Sequence, residues 1–137
     1  MQLSLLLLAD YATADASGKL NILGVFDKLN ARQFPAKHPL MHLVMKFQPE
    51  MREYGETRKL RVILVDEDGR EVFQVAVDLA VPVITRGEIP DVNGIIGFRD
   101  LPFSKPGLYE FRVLIDKDQV GVAALTVIQM EQPQPEY

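Results

Sequence analysis

The sequence has no cysteine, no tryptophan and only two histidines in 137 residues. Without cysteine there can be no disulfide, no thiol nucleophile and no cysteine-ligated zinc. Without tryptophan a sugar-binding surface lacks its best stacking platform. No apolar run approaches the ~18 residues that span a bilayer, so no membrane partner is expected. Positive charge is scarce as well: 15 Lys and Arg stand against 19 Asp and Glu, a net charge of −4. Phosphate backbones demand a basic footprint, so no nucleic-acid partner is expected either. An export signal also fails to assemble. No Lys or Arg precedes Lys19, and the apolar core "LLLLA" ends at Asp10. The expected location is cytoplasmic, in keeping with the missing cysteines.

What is present is ordinary globular composition, 47% hydrophobic and 25% charged. The length suits one domain with its own core. Residues 1–130 are expected to form that domain, and residues 131–137 a Pro-rich mobile tail.

Alternation of apolar and polar residues dominates the chain. "LSLLLLADYA" (3–12) and "KLNILGVFDKL" (19–29) flank the turn-rich "TADASG", which predicts a β-hairpin. Gly24 inside the second strand predicts a bulge or a close backbone approach. After the loop "NARQFPAKHP" (30–39), "LMHLVMKFQ" turns Met41, Leu43, Met45 and Phe47 to one face. "RKLRVILV" and "REVFQVAVDLAV" bracket "DEDG", a tight turn in which Gly69 is free to take a positive φ. "IIGFRDL" (95–101), "LYEFRVLID" (108–116) and "VGVAALTVIQ" (120–129) complete the set. Eight strands with turn signals between them and no helical periodicity predict an all-β fold. The fold class is a single antiparallel β-sandwich, immunoglobulin-like or C2-like, with a closed barrel as the alternative. The Pro/Gly corner of "LPFSKPGLYEFRV" favours the sandwich. Tyr109 stands where a tyrosine corner would bond its hydroxyl back to the backbone.

"ADYA", "GKLNILGVFDKL", "HP" after a Pro-bearing loop, "DEDGREV" and "LPFSKPGLYEFRVLID" together resemble an uncharacterised prokaryotic family of small β-sandwich domains. The resemblance runs from about residue 3 to about 128. It implies a fold and carries no activity and no catalytic residue.

No catalytic constellation emerges from the residues themselves. Ser4, Ser17 and Ser104 lie outside any G-x-S-x-G context. His38 and His42 are four apart in an extended stretch, which separates their rings by ~13 Å. One metal ion cannot bridge them. Asp66 and Asp68 in "DEDG" and Asp116 and Asp118 in "DKD" suggest calcium, which wants six or more oxygens. If every strand crosses the sandwich, however, these two turns fall at opposite ends. The chain is therefore expected not to be an enzyme, and no cofactor or resident metal is expected.

The same counting gathers loops 13–18, 49–57, 82–93 and 117–119 at one acidic end. Glu53, Tyr54, Arg86, Glu88, Asp91 and Asp118 are the candidate interaction residues there. A carboxylate pair such as Glu53 and Asp91 would be needed for an enzyme, and no spacing selects it. Apolar residues on both faces of several strands point to a second surface. Leu6, Leu8, Ile63 and Val65 are candidates for it, covered by loops or by a second copy of the chain. The expected function is a non-enzymatic interaction or scaffold module that self-associates, with an unknown protein partner. The alternative is a sandwich that binds sugar or calcium through its acidic loops.

Overall fold

The computed structural model describes residues 1–83, 87, 90 and 92–131. The tail expected at 131–137 lies outside them beyond Glu131. Nine strands form two stacked sheets. They are β1 (Gln2–Ala14), β2 (Leu20–Phe26), β3 (Lys28–Ala31), β4 (Ala36–Gln48), β5 (Thr57–Val65), β6 (Glu71–Ala80), β7 (Val92–Phe103), β8 (Gly107–Ile115) and β9 (Asp118–Gln129). The order is β2-β1-β4-β7 in sheet A and β3-β9-β8-β5-β6 in sheet B. Sheet B is curled like half a barrel. A single turn of 3-10 helix, Met51–Glu53, is the helical element among the described residues.

The alternating strands do what their pattern demands. Met41, Leu43, Met45 and Phe47 of β4 meet Leu60, Val62 and Leu64 of β5 and Tyr109, Phe111, Val113 and Ile115 of β8 in one buried core. The "DEDG" turn closes the β5–β6 hairpin with Gly69 at φ +80°. At the "SKPG" corner the Tyr109 hydroxyl donates to the Lys105 carbonyl at 2.6 Å. Losing that donor strands a carbonyl at a partly buried corner. Tyr109→Phe is therefore expected to cost about 1–2 kcal/mol. A urea midpoint equal to that of the unmodified chain would refute this.

Three expectations need correction. The run 19–29 is not one strand: the chain leaves sheet A after Phe26 and joins sheet B at Lys28, so there are nine strands among the described residues and not eight. The stretch 30–39 is not all loop. Residues Lys28–Ala31 run parallel to Thr126–Gln129, and β4 already begins at Ala36 against Phe103. The strand read at 95–101 is longer, because Gly94 lies under Phe47 and Met45, where a side chain would crowd the core.

The cover over the leucines of β1 belongs to the chain itself. Leu6 and Leu8 face the inter-sheet core, and Leu5 and Leu7 face outward. The tip of the β1–β2 hairpin turns back over that outer face. There Ala12, Leu20 and Ile22 pack with Leu5, Leu7, Ala9, Val44 and Ile95. The Asn93 side-chain amide donates to the Gly18 carbonyl at 2.8 Å, fastening the tip to β7. Gly24, at φ +68° with the Asp10 carboxylate seated where its Cβ would be, sits opposite Asp10 in the hairpin.

Candidate interaction surface

The "DEDG" and "DKD" turns lie at opposite ends, as the strand counting predicts, whereas the 13–18 turn folds back over the outer face of sheet A. Asp68 and Lys105 join the "DEDG" turn to the "SKPG" corner at 2.8 Å, while Asp116 lies at the other end beside Arg58. Among the described residues no three His, Asp or Glu side chains converge as metal ligands.

Glu53, Glu56 and Asp116 at the acidic end are engaged by cations of the chain itself. Glu53 is 3% exposed. Its carboxylate takes the Met1 ammonium at 2.9 Å and the Arg58 guanidinium at 3.5 Å, and accepts the Glu50 amide at 2.9 Å. Burial pushes the Glu53 carboxyl up, but the Glu50 amide, the Met1 ammonium and Arg58 outweigh it and leave it below the usual range. Arg58 also holds Glu56 at 2.8 Å and Asp116 at 2.9 Å. The Lys59 amide, and then Arg58, lower the Asp116 carboxyl. Asp15 accepts from its own turn, at the Ser17 hydroxyl and the Lys19 amide, and is lowered by both. Glu53 is thus a structural residue and not a presented loop residue, because the ion pairs that fix it are inside the fold. Tyr54 is half-buried against the core. Asp118 is exposed and makes no ion pair among the described residues. Arg86, Glu88 and Asp91 lie outside the described residues.

The four apolar candidates separate. Leu8 and Val65 are buried within the single chain and cannot meet a partner. Leu6 is half-buried in the inter-sheet core, and Ile63 is half-buried on the opposite side of β5 from its core residues.

Uncovered apolar surface appears instead where the two sheets end. On one side the chain crosses between sheets at Asp27. Strand β2 pairs with β1 only from Leu8 onward, and β3 pairs with β9 only from Thr126 onward. Among the described residues the flanks of β1 before Leu8 and of β9 before Thr126 therefore have no hydrogen-bonded strand there. Between them is a cleft of about 450 Å³, lined by Leu6–Leu8, Val25–Asp27 and Val122–Ala124. Beside it Leu23 and Val25 of the edge strand are 66% and 62% exposed. On the other side, β6 and β7 are the outermost strands. Phe73 of β6 reaches Phe98 of β7 edge-to-face at 5.5 Å, yet Phe73 and Val77 remain 36% and 38% exposed. Sequence alternation marks Phe73 and Val77 as core-facing. It carries no sign that their strand is the last in its sheet.

A family model covers residues 4–128 of the 137. The chain belongs to a family of unknown function, DUF6941. The family's span takes in both sheets and both open sides. No curated protein matches the chain. Among solved structures, the alkylpurine DNA glycosylase AlkC of Pseudomonas fluorescens, bound to DNA with an abasic-site analogue, is similar at TM-score 0.51 and 12% identity. The match takes in 93% of this chain and 30% of that one, and it shows a shared fold alone. The β-glucuronidase of Bifidobacterium dentium, complexed with coumarin-3-O-glucuronide, aligns at TM-score 0.42 and 13% identity. That alignment takes in 93% of this chain and 17% of the other. The chain thus spans under a third of either structure.

Proposed function

We propose that this domain is a non-enzymatic interaction module that self-associates and offers its open sides to a protein partner. The observation that carries the reading is the uncovered apolar surface along both sides of the sandwich, at Leu23 and Val25 and at Phe73 and Val77. Contiguous exposed apolar surface on a folded domain marks contact sites. The acidic loops offer less to a ligand, because Glu53, Glu56 and Asp116 are already engaged by cations within the chain. The sugar or calcium alternative is correspondingly weaker. Two finer parts belong to the same reading. The Tyr109 corner supports kinship with immunoglobulin-like sandwiches. The absence of cysteine supports a cytoplasmic setting, and no helix among the described residues is long and apolar enough to cross a membrane.

Self-association is the part most directly measured. Light scattering is expected to give a mass that rises with concentration toward twice the 15.4 kDa of one chain. A mass of one chain at every concentration would remove self-association from the reading.

A further inference from the structure

We infer that two copies of this chain pair through the free edge of β6, antiparallel about a two-fold axis at Val75. The inference rests on the self-association proposed above and says where it occurs.

β6 is the last strand of sheet B, and among the described residues no strand pairs with its outer flank. Natural edges are usually blunted by proline, lysine, bulges or a covering element. From Phe73 to Ala80 the strand "FQVAVDLA" contains no proline, glycine or lysine. Its register irregularity, opposite Leu64 and Val65, is confined to the first residues. What the edge shows to solvent is also symmetric. Phe73 and Val77 lie two residues either side of Val75 on the core-facing side, and both are about one-third exposed. An antiparallel pair centred on Val75 sets Phe73 against Val77 of the second copy, twice. Each core then gains the cover it lacks on its open side.

The charges agree with that direction. Arg70, in the turn just before β6, makes no salt bridge among the described residues, although its charge acts on Asp68 across that turn. Asp78, near the end of β6, has only Lys59 at 3.8 Å, with both side chains well exposed. Antiparallel pairing brings the start of one strand to the end of the other. Beyond the irregularity at Val72 the chain carries Arg70 toward the second copy's Asp78, within reach of its long side chain. The regular span centred on Val75, Phe73–Val77, holds no charged residue, so no like charges fall directly opposite there. A two-fold of this kind closes on itself and produces a dimer, not a fibre.

The test exchanges the charges. Light scattering at low ionic strength on the full chain is expected to give a dimer, while Arg70→Asp alone and Asp78→Arg alone give single chains. Mixed in equal amounts, the two variants are expected to recover the dimer, because each unlike pair forms between them and neither forms within one. Both positions are exposed, and circular dichroism confirms that the folds are intact. If the unmodified chain dimerises and the single variants dimerise equally well, or the mixture fails to recover the dimer, the β6 edge is not the interface and self-association stands. If the unmodified chain is monomeric throughout, both the interface and the self-association are overturned.

Discussion

Phe111→Ala is expected to remove about 3–5 kcal/mol of folding stability. Phe111 lies fully buried at the middle of β8, between Leu64 on one side and Ala123 on the other. Its ring packs on Phe98 of the opposite sheet at 5.6 Å, and Phe98 in turn supports Phe73. Truncation therefore opens a void where three aromatic rings join the two sheets. Close-packed cores relax only partly around such a void. A domain of this size holds only about 5–15 kcal/mol in total, so the variant should unfold at a much lower urea concentration. Leu23→Ala is the contrasting control. It removes a similar apolar side chain from an exposed position, and a change within about 0.5 kcal/mol is expected. Equal urea midpoints for the two variants would refute the placement of the core.

Glu53→Gln is the second large effect, about 2–3 kcal/mol at neutral pH. The amide can still accept the Glu50 N–H, but it leaves Met1 and Arg58 facing a neutral group at a buried position. The same residue fixes a pH dependence. Its carboxyl is lowered in the folded chain, so its contribution is fully present above the unfolded value of about 4.3 and disappears as pH falls through the lower folded value. Asp116, Asp68 and Asp15 are lowered too and act in the same direction. The melting temperature should hold level from neutral pH to about 5 and fall below about 4. The gap between the unmodified chain and Glu53→Gln should narrow over the same range. A gap as wide at pH 3 as at pH 7 would show that the Glu53 charge is not what stabilises the fold.

These two positions also show what a single sequence makes legible. The face of Phe111 follows from its neighbours: Tyr109, Val113 and Ile115 alternate with Glu110, Arg112 and Asp116. Period two is a local property, and the buried faces of β4, β5 and β8 are readable from it. Glu53 is different. "PEMREYGET" is polar and unpatterned, and it reads as a presented loop. Its burial depends on Met1 and Arg58, which reach it from other elements. The short β3 was hidden for a related reason. Its partner is a parallel stretch of β9 nearly a hundred residues away, and four residues carry too little alternation to announce a strand. Gly94 misled in the opposite sense. "VNG" has the composition of a turn, but the missing side chain makes room for Phe47 and Met45. The β6 edge was invisible because order within a sheet is a matter of topology and not of residue pattern.

The crossing at Asp27 has a consequence for how the molecule comes apart. Residues 20–26 are held by β1 in one sheet, and residues 28–31 by β9 in the other, with a single residue between them. The Asp27 carbonyl itself accepts the Thr126 amide at 2.9 Å. Neither sheet can peel away without tearing a ladder in its counterpart. The sandwich is clasped along that side by its own chain, which couples the order of the two layers there.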